Sequence, residues 1–228
     1  TNIIIHTLNV YLVYCMAYRL FYNRPAAFIS CLIFAVHPIF TEAVNAVSYR
    51  EDLLSATFLL VAFLLFLKSN RSTGKRDFII SYAFSLCAYL FALLSKEMAI
   101  TLPCLILAYD LIFQKGISLN TQNTPGNSIF ANGIMMTKTI GYYFKLLFIP
   151  VPLNADYVVP LTYSPADAAF LVSVVVVILV VVLSVKLCRL SRIWTFSILW
   201  FFITLLPVMN IIPIINIMAE RYLYIPGI

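Results

Sequence analysis

Four stretches of this chain set charged and hydrogen-bonding residues directly against long apolar runs, and they are where chemistry should be sought. The richest is HPIFTEAVNAVSYRED, residues 37–52. Pro38 suits the first turn of a helix, where its missing N–H would be an orphan anyway. If that helix continues, Glu42, Asn45, Tyr49 and Asp52 follow i, i+3, i+7, i+10 spacing and share one face. His37 reads as a packing or capping residue rather than a metal ligand, because His6 is the only other histidine. The second stretch is Ser95-Lys96-Glu97, a Lys–Glu pair between LFALL and MAITLP. Ionisable groups at membrane depth are costly unless paired or wet, and they mark candidate sites. The third is MAERYLYIP, residues 218–226, where Glu220 and Arg221 have little soluble loop around them. Arginine there offers a planar fork of donors suited to a phosphate, while Tyr222 and Tyr224 fit an interfacial aromatic belt. The fourth is Asp156 in PLNADYVVP, as well explained by structure as by function. Together these residues describe a mixed-charge cavity. Cations would hold a phosphate, and carboxylates would act as bases or bind hydroxyls. A transferase and a transporter of an anionic amphiphile could both use that set.

The elements that must position these residues are transmembrane helices. Hydrophobic residues make up 63% of the 228, and charged residues only 11%, far below the quarter or so of a soluble domain. The spans read as Ile3 to Leu20, Pro25 to Val36, Leu53 to Leu67, Phe78 to Leu94, Ile100 to Phe113, Ala168 to Val185 and Trp194 to Val208. Residues 116–128 form a turn-rich loop. Parity calls for one more crossing, and residues 129–150 are the candidate, either as a span or as an interfacial segment. The fold class is therefore all-α, a polytopic bundle of about seven to eight spans.

The loops between spans alternate in character. One set is basic: Arg19, Arg24, Lys68, Arg71, Lys75, Arg76, Lys115, Lys186, Arg189 and Arg192, against Asp77 and Asp110. The other holds Arg50, Lys96 and Arg221 with most of the acids. Excess Lys and Arg marks the cytoplasmic side, so the four stretches share the opposite face. The net charge of +6 is explained by topology and anionic lipid headgroups, not by nucleic acid. Of five cysteines, Cys15, Cys31, Cys87 and Cys104 fall within apolar spans and Cys188 in a basic loop, with neither metal-ligand nor disulfide spacing.

HPIFTEAVNAVSYREDLLSATFLL, ALLSKEMAITLPCLILAYD, YYFKLLFIPVPLNADY and NIMAERYLYIP, in that order, resemble the membrane region of the transmembrane and tetratricopeptide-repeat (TMTC) O-mannosyltransferases and their bacterial relatives. The resemblance implies a GT-C fold, all-helical and fed by polyprenyl-phosphate sugars on the lumenal or periplasmic side. The implied activity is transfer of mannose from dolichyl phosphate to protein Ser/Thr. It implies Arg221, Lys96 and Arg50 as lipid-phosphate ligands, Arg221 foremost. His37, Glu42, Glu51, Asp52, Glu97, Asp156 and Glu220 would line the outer cavity, with Glu97 and Glu220 orienting the cations or the sugar. The resemblance places the principal catalytic acid in a first outer loop upstream of residue 1 and the repeats beyond Ile228, so the chain reads as an excerpt without a nameable base. Partners would be membrane lipid, the lipid-linked donor and a protein acceptor; no metal site is expected, and a divalent ion is neither required nor excluded. The membrane would be a bacterial inner membrane or the endoplasmic reticulum. A lipid-linked sugar flippase would show paired repeats or broken helices in matching positions, which the sequence lacks. A scaffold for the repeat domain would leave the charged face without a purpose.

Overall fold

A computed structural model describes residues 1–72, 74–115, 129–151, 168–188, 191–208 and 219–228. The helices are α1 (Asn2–Phe21), α2 (Arg24–Val36), α3 (Thr41–Asn45), α4 (Arg50–Ser69), α5 (Lys75–Ser95), α6 (Leu102–Tyr109), α7 (Ile129–Phe148), α8 (Ala168–Cys188) and α9 (Arg192–Leu205), and no strand occurs among the described residues. Their limits follow local chemistry. Tyr22 closes α1 in the left-handed conformation at φ 52°. Asn23 then caps α2 by accepting from the Ala26 N–H at 3.2 Å, ahead of Pro25. Ser191 caps α9 in the same way through the Trp194 N–H.

Among the described residues four helical stretches are long and apolar enough to cross a membrane: Asn2–Phe21, Val47–Ser69, Lys75–Ser95 and Phe170–Leu187. A fifth is reached if α2 and the Pro38–Asn45 segment, bent by 52°, count as one span. The chain is an all-helical membrane protein, and these helices support fewer crossings than the seven to eight expected. The shortfall has a physical reason. The Ile100–Phe113 stretch divides into a 3-10 turn (Glu97–Thr101), the eight-residue α6 and a π-helical turn (Asp110–Lys115). Likewise α9 has only 14 residues, about 21 Å of rise against a hydrocarbon core of about 30 Å.

The centre of the bundle is α4, with 67% of its apolar window buried, whereas α8 has 6% and gives its Val, Leu and Ile side chains to lipid. Small buried residues bring α4 and α5 together: Ser55, Ala56 and Ala62 on one, Ser81, Ser85, Ala88 and Ala92 on the other. Across that contact Ser85 Oγ donates to the Ala62 carbonyl at 2.7 Å, the device membrane helices use where water supplies no driving force. Of the cysteines in apolar spans only Cys31 is buried. Cys15 is half-buried, and Cys87 and Cys104 face outward, free thiols treated as lipid-facing apolar groups.

The pairing of α7 with α8 depends on Gly141. A Cβ built there would meet Ser173 Oγ, with Ser173 Cβ at 2.6 Å and its Cα at 2.9 Å. Backbone cannot yield as a side chain can, so the helices would be forced apart. Gly141→Val should cost about 1–3 kcal/mol, the usual penalty of overpacking. Thermal unfolding in detergent checks this, and an unshifted midpoint would show that the two helices can separate freely.

The loop classes sort to opposite ends. Arg19 donates to the Leu64 carbonyl at 2.7 Å, Arg71 to the Arg19 carbonyl at 3.3 Å, and Arg192 to the Phe113 carbonyl at 3.5 Å, which collects the basic loops at one end. The 37–52, 95–97 and 219–224 segments meet at the other.

Candidate functional site

Residues 37–52 do not form the single helix that their spacing suggested. A 3-10 turn (Pro38–Phe40) leads into α3, Ala46 is extended at φ −85°, ψ 126°, and a second 3-10 turn (Val47–Tyr49) precedes α4. The break is pinned from outside, since Asn2 Nδ2 donates to the Ala46 carbonyl at 2.9 Å and Asn2 Oδ1 accepts from Arg50 Nε at 3.2 Å. Helical phase is therefore lost between Glu42 and Asp52, and each carboxylate serves a different cation.

Glu42 holds Arg221 from two directions. Its Oε1 lies 2.6 Å from Arg221 Nη1, and its Oε2 accepts the Arg221 backbone N–H at 2.9 Å. The side chains of this pair are only 8% and 6% exposed. The guanidinium also lies over the Tyr49 ring at 4.3 Å and the Tyr222 ring at 5.0 Å. Burial works against the Arg221 charge, but the Glu42 carboxylate outweighs it and holds the group above its ordinary value. The cation is permanent.

Lys96 is the second buried cation, an extended residue at φ −161° between α5 and the Glu97–Thr101 turn. Its Nζ lies 2.6 Å from Asp52 Oδ1 and 3.5 Å from Glu51 Oε1. Asp52 is 1% exposed and Glu51 54%, so Asp52 is the interior partner. The other Asp52 oxygen, Oδ2, is buried without a hydrogen-bond partner. Lys96 Nζ also lies 5.9 Å from the centre of the Tyr222 ring. One aromatic ring thus stands beside both cations.

The other residues singled out in the sequence are placed as follows. His37 accepts the Ile39 N–H at its Nδ1, so its proton is on Nε2, which donates to the Leu147 carbonyl at 3.0 Å. It caps the Pro38–Phe40 turn and ties the end of α7 to the site. Arg50 contacts Asn2 rather than a carboxylate. Glu97 is exposed and Glu220 is buried. The carboxylates that hold Arg221 and Lys96 are Glu42 and Asp52, which the sequence had placed only in the cavity lining. Asp156 lies outside the described residues. Among the described residues no three His, Cys, Asp or Glu side chains are placed to hold a metal ion.

Residues 1–136 match the model of the family described as dolichyl-phosphate-mannose-protein mannosyltransferase. The chain belongs to that family. Among its relatives, protein O-mannosyl-transferase TMTC3 of Homo sapiens is 37% identical over 120 residues, 52% of this chain and 13% of that protein. TMTC1 of Homo sapiens is 39% identical over 120 residues, again 13% of its length. Protein O-mannosyl-transferase F38B6.6 of Caenorhabditis elegans is 29% identical over 254 residues, 99% of this chain and 36% of that protein. The chain therefore resembles the TMTC type of mannosyltransferase and spans a minor part of these relatives' length. No solved structure matches it.

The mannosyltransferase match takes in Glu42, Asp52 and Lys96 but ends before Arg221, so the pairing of Arg221 with Glu42 across 179 positions comes from the structure. Sequence reasoning missed Tyr143, and it gave Tyr49 only a place on a shared helix face and Tyr222 only an aromatic-belt role. The Tyr143 hydroxyl is buried, reaches toward the Ala219 backbone and feels the charges of Arg221 and Glu42. The available signal was the density of tyrosines beside charged residues, which a membrane-interface role explains equally well.

Proposed function

We propose that this chain forms part of the donor site of a membrane glycosyltransferase that moves mannose from a polyprenyl phosphate to protein Ser or Thr. The observation that carries the reading is the convergence of two buried cations, Arg221 and Lys96, within 5.0 and 5.9 Å of the Tyr222 ring centre at the end of the bundle away from the basic loops. Each is held by a carboxylate, yet neither is used up. Arginine has five N–H donors and lysine three; Glu42 takes one side-chain donor from Arg221, and Asp52 and Glu51 take those of Lys96 that face them. The remaining donors, fixed in a dry site, suit a phosphate and the negative charge that grows on it as the glycosidic bond breaks. Glu51, half-exposed beside Lys96, would meet sugar hydroxyls, and Asp52 would hold Lys96 from the interior. The catalytic base lies outside this set.

By the positive-inside rule the Arg19 and Arg192 end is cytoplasmic, which turns the Arg221 end to the lumen of the endoplasmic reticulum or to a bacterial periplasm. The bent α2–α3 pair, α6 with its π turn, α7 and α9 complete seven to eight crossings.

The test is the full-length protein in membranes with radiolabelled polyprenyl-phosphate mannose. Label should pass to protein and should be lost in Arg221→Lys, a change that keeps the charge but removes the fork. Donor that only changes leaflet would make the protein a flippase, and tight donor binding without transfer would make it a scaffold.

A further inference from the structure

Beneath the Arg221 turn lies a string of buried hydrogen bonds that the donor site does not use. Thr57 Oγ1 on α4 is 2.7 Å from Asn9 Oδ1 on α1 and 2.8 Å from the Leu53 carbonyl. Asn9 Nδ2 donates to the Leu53 carbonyl at 3.0 Å and to the Tyr224 hydroxyl at 3.1 Å. The Tyr224 hydroxyl is 2.7 Å from His6 Nδ1, and His6 Nε2 is 3.4 Å from the Ala35 carbonyl on α2. Asn9 and Tyr224 are 0% and 1% exposed, so water does not replace the bond between them, while His6 at the end of the string is half-buried.

The directions from Asn9 to His6 follow from the carbonyls at the two ends, Leu53 and Ala35, which can only accept. The Leu53 carbonyl can only accept, so the amide nitrogen of Asn9 must face it, and that nitrogen also donates to Tyr224. Tyr224 must then send its own proton to His6 Nδ1, which leaves the His6 proton on Nε2, toward Ala35. At the α4 end, Thr57 has one proton and two acceptors within reach, Asn9 Oδ1 and the Leu53 carbonyl. The string locks Tyr224 to α1, α2 and α4 together. Tyr224 in turn is one helical step beyond Arg221: its N–H donates to the Arg221 carbonyl at 3.1 Å and caps the Glu220–Leu223 turn. Its ring is fixed as well, at 5.5 Å from Phe34 and 5.4 Å from Phe40.

We propose that Thr57, Asn9, Tyr224 and His6 are positioning residues that act on the donor phosphate through Arg221, by holding the turn that carries it against Glu42. This rests on the reading of Arg221 as a phosphate ligand. A string that merely fills the interior would raise general stability and nothing else; one that works through Arg221 must couple to it.

The experiment is a double-mutant cycle in the full-length protein, with farnesyl phosphate in detergent as the probe and amide hydrogen exchange as a second readout. Tyr224→Phe keeps the ring and removes the hydroxyl. It should weaken farnesyl phosphate binding about tenfold, the scale of an orphaned buried partner. In an Arg221→Lys background the same change should cost less than about twofold, because residues that act as one unit are not additive. The Arg221 amide, held by Glu42 in the native protein, should exchange about tenfold faster in Tyr224→Phe while α5 amides are unchanged. Full additivity, or unaltered affinity and exchange in Tyr224→Phe, overturns the proposal. If Tyr224→Phe does not fold, Thr57→Val is measured instead, since it releases the Asn9 amide from its other end, at Oδ1, without touching the turn. If the native protein does not bind farnesyl phosphate, the phosphate reading of Arg221 fails; exchange at the Arg221 amide then decides by itself whether the string seats the turn, and unchanged exchange there overturns that too.

Discussion

Arg221→Ala should unfold the protein's outer end as well as remove its affinity for the donor. Arg221 and Glu42 form a pair whose side chains are 8% and 6% exposed, and truncating one partner leaves the other as a lone charge in a dry place. Such breaks cost about 3–5 kcal/mol, whereas removing both partners together is often nearly neutral. Loss of activity in Arg221→Ala would therefore say little about phosphate. The informative pair is Arg221→Gln alone against Glu42→Gln with Arg221→Gln. The single change should lower stability by about 3 kcal/mol or more, because the Glu42 carboxylate loses its cation and keeps only the 221 backbone N–H. The double change should recover most of that loss, since two neutral amides can meet in the same space. Phosphate binding should recover in neither. Thermal unfolding in detergent and donor binding, measured side by side on the three proteins, separate the two effects. A double variant that folds and still binds the donor at native affinity would remove Arg221 from the site.

Much of the architecture was legible because membrane helices announce themselves by run length. α1, α2, α5 and α8 begin and end within a few residues of the apolar runs that marked them. The segregation of charged segments to two ends was also readable, since charge in short loops between spans has few places to go. What could not be read were the pairings. Helical spacing put Glu42 and Asp52 on one face, but the extended backbone at Ala46, held by Asn2 from another helix, cancels that phase. The partners of Lys96 and Arg221, Asp52 and Glu42, sit 44 and 179 positions away, beyond the reach of any local spacing. Asn9, Thr57 and His6 gave no signal at all, because a lone polar residue in an apolar span has no period to be recognised by.

The Lys96–Asp52 pair should respond asymmetrically. Lys96→Met keeps the length of the side chain and strands Asp52, which is 1% exposed and already has an unpartnered Oδ2. No other cation stands within ion-pair distance of it among the described residues and Arg221 acts on it only from further off, so most of the cost of a lone buried charge applies, about 3 kcal/mol. Asp52→Asn strands Lys96 less completely. Glu51 is 3.5 Å from its Nζ, half-exposed and able to close in, and the Tyr222 ring is 5.9 Å away. A compensated loss of about 1–2 kcal/mol is expected, in line with a buried hydrogen bond to a charged group rather than an orphaned ion. The combined Lys96→Met, Asp52→Asn protein should be more stable than Lys96→Met alone, and should transfer no sugar. That ordering distinguishes two descriptions of the site. If Lys96 only balances Asp52, the double variant, once folded, should work. If Lys96 supplies the donors that Asp52 leaves free, folding returns and transfer does not, and the deficit should fall on donor binding before it falls on turnover.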